Sequence, residues 1–251
     1  MSPVSNDQPT LPPPDLLQGA SLFLDFDGTL VEMAEHPEAV QVASRTVTLL
    51  DRLDDMLEGR LALISGRPVA QLRQWLAAPV TIVGSHGIEY DWRDGRAAAV
   101  TTPAALEDVR KAMEALAAQQ PGIVVEDKPL GIALHFRQRP GAEQACVALA
   151  RDLAKRHGLQ VQPGKMMVEV RVGGGDKGTA LRTLMREPEM AGTRPVFMGD
   201  DHTDEPGFAA AAELGGAGVL VGPARATAAS YRLDGVGSAL EWLEAAAAEL
   251  A

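Results

Sequence analysis

The sequence predicts an α/β protein in which a parallel sheet is covered by helices on both faces and interrupted by a smaller α+β unit. Three observations carry this prediction. Four short apolar runs, "SLFLDFDG", "RLALISGR", "VTIVGSHG" and "PVFMGDD", each end in small or polar residues. Helix-like stretches alternate with them, namely "VASRTVTLLDRLDDM", "PVAQLRQWLA", "KGTALRTLMRE" and "EPGFAAAAEL", which is the rhythm of buried strands joined by crossover helices. Between "GIEYDW" and "GGGDKG" the rhythm changes to helix, strand, strand, repeated twice.

In chain order, residues 1–18 are proline-rich and are predicted to be disordered. Ser21 to Leu24 form the first buried strand, closed by Asp25 and Asp27 and the turn formers Gly28 and Thr29. After the third apolar run, a helix opened by Pro103 extends to about 119. "IVVEDK" and "GIALHFRQ" then alternate as a hairpin pair, a helix runs from about Ala142 to His157, and "LQVQP" with "MMVEVRV" forms a second pair. We therefore assign 92–172 to an inserted domain and 19–91 with 173–251 to the main one. "AGVLVG" and "VGSALEWLEAAAAEL" supply a last strand and helix.

At 251 residues the chain can bury a sizeable core without disulfides. Its single cysteine, Cys146, excludes an intramolecular disulfide and a cysteine-based zinc site and fits a reducing compartment. The formal net charge of −11 argues against nucleic acid as a partner. The lack of a long apolar run argues against a membrane partner. The expectation is a cytoplasmic monomer acting on a small molecule.

The strand ends carry the chemistry. They supply paired acids (Asp25, Asp27), a hydroxyl (Ser65), a lysine opening a helix (Lys177) and an acidic cluster (Asp200, Asp201, Asp204). Carboxylates held together repel unless a divalent cation sits among them, and hard oxygen ligands suit Mg²⁺. A carboxylate beside such a metal can attack phosphorus. A second can protonate the leaving alcohol and later take a proton from water. Lysine and hydroxyl groups can hold phosphoryl oxygens as charge develops there. Each residue also has an ordinary role open to it: Ser65 as a turn or cap, Lys177 as a solvated helix start, and Asp204 as the cap of the helix near Glu205.

These four segments, in this order, resemble the four motifs of the haloacid dehalogenase (HAD) superfamily of phosphohydrolases. The resemblance implies a Rossmann-like HAD core with an inserted cap domain. It implies that Asp25 is the nucleophile and a metal ligand. Asp27 is then the acid/base, giving its backbone carbonyl to the metal, Ser65 binds the phosphoryl group, and Lys177 neutralises charge. Asp200 becomes the third protein ligand to Mg²⁺, with Asp201 and Asp204 supporting it.

"LDFDGTL", "ISGRP", "GSHGIE", "DKPLGIALHFR", "GKMMVEVR", "DKGTAL" and "GDDHTDE" are further similar to stretches of the trehalose-6-phosphate phosphatases. That resemblance implies hydrolysis of trehalose 6-phosphate through an aspartyl-phosphate, with Glu126, Lys128 and Glu169 contacting the sugar. Exposed sheet-face charges are the ordinary alternative for these three. His86 and Gly87 are expected to line the substrate cleft, Gly66 to border it, and Arg67 either to contact substrate or to brace its loop. Arg137 is open between the same two roles. The glycine run before Lys177 reads as a hinge in preference to a phosphate loop. Rival readings are a phosphatase for glucosylglycerol or sucrose phosphate, a sugar phosphomutase, and a catalytically silent binding module.

Overall fold

The computed structural model describes residues 10–33, 40–76, 79–98 and 102–250. The chain divides into two compact units, Met1–Ala98 with Gly175–Ala251, and Ala99–Gly174. The second is thus inserted in the first. The insertion expected over 92–172 occupies 99–174, because the residues just after 91 stay with the first unit. There Tyr90 and Trp92 stack at 5.1 Å, and Asp91 bridges Ala97.

The first unit begins with β1 (Ala20–Leu24), α1 (Ser44–Met56), β2 (Leu61–Ile64), α2 (Val69–Trp75), β3 (Thr81–Gly84) and β4 (Glu89–Asp91). The insertion contributes α3 (Ala105–Gln119), β5 (Val124–Lys128), β6 (Gly131–His135), α4 (Glu143–His157), β7 (Gln160–Gly164) and β8 (Met167–Arg171). The first unit resumes with α5 (Lys177–Leu184), β9 (Arg194–Gly199), α6 (Glu205–Glu213), β10 (Ala217–Val221), β11 (Tyr231–Leu233) and α7 (Val236–Glu249).

Its seven-stranded sheet has the order β11-β10-β9-β1-β2-β3-β4. All neighbours are parallel except β3 and β4. β1 lies centrally and every one of its residues is buried, which is why it reads as an unbroken apolar run. Successive side chains leave opposite faces. Leu22 and Leu24 join Leu50, Leu53, Leu243 and Ala246 from α1 and α7 on one face. Phe23 joins Leu181, Leu184, Phe197 and Phe208 on the other, with α5 and α6.

The N-terminal prediction is corrected by the structure. Residues 10–18, expected to be disordered, are built into the first unit. Thr10 bridges Tyr231, Pro14–Leu17 form a 3-10 turn, and Leu16 and Leu17 are buried in the core. Trp242 Nε1 donates to the Pro12 carbonyl at 3.0 Å. Prolines lower the entropy lost on ordering, and two leucines supply the apolar area that a polar tail lacks. Residues 1–9 of that segment lie outside the described residues.

The inserted unit is a four-stranded antiparallel sheet of order β5-β6-β8-β7. One face packs Ile132, Leu134, Val168 and Val170 against Val109, Met113, Cys146 and Leu153 of α3 and α4. The register places Ala133 opposite both Glu126 and Glu169, so the polar residues share the other face. Arg137 follows the end of β6 and is exposed.

Candidate active site

Parallel pairing brings the chemistry-bearing residues to one end of the first unit's sheet. Leu24 is level with Met198 on β9 and Leu63 on β2, and Ile64 with Val83 on β3. The residues that follow, Asp25, Asp200, Ser65 and Ser85, therefore leave from adjacent carboxyl ends, where ligands gather in open α/β sheets.

Asp25 is buried, and its N–H donates to the Met198 carbonyl at 2.8 Å. Lys177, the first residue of α5, donates from Nζ to Asp25 Oδ1 at 2.6 Å and to Asp204 Oδ1 at 2.6 Å. Thr29 Oγ1 makes a longer approach of 3.5 Å to Asp25 Oδ2. Asp204 Oδ2 accepts the N–H groups of Asp200 (2.9 Å) and Asp201 (3.0 Å). Asp204 precedes α6 but makes no side-chain bond to that helix's amides, contrary to the cap role its place before Glu205 and Pro206 suggests. It closes a capping box with Asp201 around the 3-10 turn His202–Asp204 and is the buried counter-charge of Lys177.

Burial raises Asp25 well above the usual carboxylate range, and Lys177 offsets only part of this. Asp204 is raised for the same reason. Burial pulls Lys177 downward, but the charges of Asp204 and Asp25 outweigh it and leave the lysine raised. Asp200 is pushed up to about 7 by burial and then by the charges of Asp204 and Asp201.

Oxygens of Asp25, Asp200 and Asp204 lie within 4.8 Å of one another. Three carboxylates against one ammonium leave a formal charge deficit that a divalent cation would remove. The donor set is all hard oxygen, so it fits such an ion. Glycines keep the space open. A Cβ on Gly28 (φ +79°) would lie 2.2 Å from Asp200 Oδ2, and one on Gly199 would lie 2.3 Å from the Asp204 carboxyl carbon.

Asp201, expected to support the metal, also caps the 3-10 turn that follows it. It is exposed, and its Oδ1 accepts both the N–H and the hydroxyl of Thr203 at 2.6 Å. A short acid at the start of a 3-10 turn satisfies free amides.

Asp27 forms a two-pronged ion pair with Arg67, from Nε to Oδ2 at 2.6 Å and from Nη2 to Oδ1 at 2.7 Å. Ser65 is buried, and its Oγ accepts the Arg67 N–H at 3.1 Å. His86 N–H donates to the Ser65 carbonyl at 2.9 Å, and its imidazole lies against Gly66, where a Cβ would come within 2.6 Å of the ring. Ser85, His86 and Gly87 have φ of 48°, 57° and 102°, three consecutive left-handed residues. Such backbone persists only when its surroundings fix it. Glu89, absent from the residues read as functional, does so. Its carboxylate accepts from Ser85 Oγ at 2.7 Å and from the Val69 N–H at 2.8 Å. "SHGIE" contains the acid, but a β4 too short to show alternation hid its role.

The glycine run before Lys177 also has a packing purpose. A Cβ on Gly175 would lie 2.7 Å from the Gly87 carbonyl oxygen, and one on Gly87 would lie 2.6 Å from that of Asp176. Two backbones meet there, and Asp176 caps α5 by accepting the Thr179 N–H at 2.6 Å.

In the inserted unit the polar sheet face forms a charge cluster. Lys128 Nζ lies 2.8 Å from Glu169 Oε2 and 3.8 Å from Glu126 Oε2, and His135 Nε2 lies 2.8 Å from Glu126 Oε2. Glu169 and Arg171 are buried.

A largely parallel sheet with two acids after its central strand, a lysine between two buried carboxylates and an inserted α+β unit defines a hydrolase core of the haloacid dehalogenase class. A family profile described as trehalose-phosphatase matches residues 23–236. The chain is 39% identical over 241 residues to the trehalose-6-phosphate phosphatase of Escherichia coli K12, covering 94% of this chain and 90% of that one. It is 36% identical to a probable trehalose-phosphate phosphatase of Sinorhizobium fredii, covering 82% and 79% respectively. The fold matches the C-terminal domain of a C. albicans trehalose-6-phosphate phosphatase with a TM-score of 0.82 at 24% identity, over 98% of this chain and 99% of that one. The chain belongs to the trehalose-phosphatase family.

Proposed function

We propose that this chain hydrolyses trehalose 6-phosphate to trehalose and phosphate through an aspartyl-phosphate on Asp25. The observation that carries the reading is the buried Asp25–Lys177–Asp204 chain of ion pairs beside Asp200, at the carboxyl ends of β1 and β9. Asp25 and Asp200, with the Asp27 backbone carbonyl, are the residues we assign to Mg²⁺, which when bound neutralises the carboxylates and polarises a phosphoryl oxygen.

Asp25 Oδ attacks phosphorus as the bond to the sugar oxygen breaks, and Asp27 gives that oxygen a proton. Asp27 then takes a proton from the water that attacks the phosphoenzyme, and Asp25 is released. Lys177 steers Asp25 through one oxygen, which leaves the other to react, and its charge meets the charge gathering on the phosphoryl oxygens. Ser65 and the amides around Gly66 are assigned to those oxygens, with His86 and Gly87 beside them. Glu126, Lys128 and Glu169 are assigned to sugar hydroxyls, as acceptors and donor clustered on one sheet face. Arg137 follows them in the chain as a further candidate. The expected state is a monomer, and the expected compartment the cytoplasm.

The test is phosphate release from trehalose 6-phosphate, sucrose phosphate and glucosylglycerol phosphate, with and without Mg²⁺. The highest kcat/KM is expected for trehalose 6-phosphate, and Asp25→Asn should abolish turnover while the protein stays folded. Preference for another ester would replace the substrate and keep the chemistry. An isomeric sugar phosphate in place of free phosphate would make the enzyme a mutase.

A further inference from the structure

We propose that Arg67 is the positioning residue for Asp27, fixing the orientation from which that carboxylate exchanges its proton. The proposal rests on the phosphohydrolase reading of the site and adds a residue to it. Arg67 Nε reaches Asp27 Oδ2 at 2.6 Å while Nη2 reaches Oδ1 at 2.7 Å. Two parallel bonds from a planar fork set the plane of a carboxylate as well as its distance, which a lysine ammonium cannot do. The pair is sheltered, with side-chain exposures of 11% for Arg67 and 27% for Asp27.

The fork is itself held from several sides. Its central carbon lies 5.1 Å from the Trp75 ring centroid and 5.9 Å from that of Phe26. Those rings stack on one another at 5.6 Å with 6° between their planes. Cation and rings attract, and a flat guanidinium matches a flat platform. The backbone of Arg67 is pinned as well, its N–H to Ser65 Oγ at 3.1 Å and its carbonyl to the Ser85 N–H at 2.9 Å.

This matters because Asp27 sits on a tight turn, before Gly28 at φ +79°, and its side chain would otherwise rotate freely. A carboxylate oxygen carries two lone pairs, so each can accept one Arg67 bond and keep one site for the proton. In phosphoryl transfer to Asp25 the Asp27 O–H bond breaks as the leaving oxygen gains the proton. In hydrolysis the O–H bond re-forms with a proton from water. Both events need the same free lone pair to face the reacting oxygen. A guanidinium committed in this way is a support for the acid/base, distinct from a contact to substrate.

The test uses the whole chain, wild type and Arg67→Met, Arg67→Lys and Trp75→Leu variants, with monoesters that lack sugar and range from nitrophenyl to simple alkyl phosphates. A nitrophenolate leaves without a proton and an alkoxide does not, so loss of a well-placed acid steepens the dependence of kcat/KM on leaving-group pKa. For Arg67→Met we expect a loss on the order of 100-fold with alkyl esters and less than about 3-fold with the nitrophenyl ester. Arg67→Lys should recover only part of this, Trp75→Leu should shift in the same direction, and Arg67→Met should add little to Asp27→Asn. A uniform loss across the series with an unchanged slope would overturn the proposal, as would a defect confined to sugar phosphates through KM. Wild-type turnover across the series tests the phosphohydrolase reading, and the change in slope tests Arg67.

Discussion

Replacing Lys177 with methionine removes the ammonium while nearly keeping the side chain's shape, and the structure sets the cost. The lysine side chain is 3% exposed, and its partners Asp25 and Asp204 are 6% and 0% exposed. Both contacts are 2.6 Å, so the ammonium bonds each carboxylate directly. Removing one partner of a buried ion pair costs about 3–5 kcal/mol, because the remaining charge stays buried and unmatched. Proton uptake by the carboxylates limits the cost to that range, since burial has already raised both. For a domain of this size the loss corresponds to a fall in Tm of about 6–20 °C. The assay is calorimetric melting in chelator, with circular dichroism to confirm the fold and phosphate release to confirm inactivation. Adding Asp204→Asn should restore part of the loss, with a coupling of about 1–3 kcal/mol between the two sites. A Lys177→Met protein that melts within about 2 °C of the parent would refute the reasoning.

Chelated protein should lose stability as pH rises from about 4 to about 7, since folded Asp200 keeps until about 7 a proton that the unfolded chain releases near 3.8. Adding Mg²⁺ should flatten that slope and raise Tm, the ion stabilising the fold by about 2.7 kcal/mol at a hundred times Kd. Gly28→Ala should weaken divalent-ion binding by about 10–100-fold, read by titration calorimetry, because its Cβ would push into Asp200. Leu17→Ala should cost about 2–5 kcal/mol in urea unfolding with kcat unchanged, because the side chain is wholly buried in the apolar core cluster with Leu22 and Leu243 and takes no part in the hydrogen bonds of the site.

The sheet was readable because its strands are buried on both faces and end in polar residues, so "SLFLDFDG" and "PVFMGDD" announce themselves. The short partners β4 and β11, of three residues each, were not. They hold their place by pairing with β3 and β10, which no local pattern records. At the site, Asp25, Lys177 and Asp200 were legible from type and order. Asp204 was legible as a neighbour of the metal site or a helix cap, but not as the partner of Lys177, because that ion pair joins residues 27 apart. Asp201 was legible as an acid beside Asp200, but its bonds to Thr203 were not, because acids in a row look equivalent in sequence. The Arg67 platform draws Phe26 and Trp75 from opposite sides of α1. Residues 10–18 misled because proline content signals disorder only where no apolar residue follows to be buried.

The insertion also fixes an order of assembly. Asp25 and Lys177 are separated by 152 residues, so at about 5–20 residues per second a ribosome delivers the lysine roughly 8–30 s after the aspartate. During that interval β1 has β2 beside it, with β3 beyond, but lacks β9, leaving its other edge unpaired. The inserted unit, with its own hydrophobic core and its sequence complete by residue 174, is available to fold first. The nascent chain thus carries a finished insertion before the sheet around its reactive aspartate can close, and the enzyme becomes competent only when the last third of its sequence emerges.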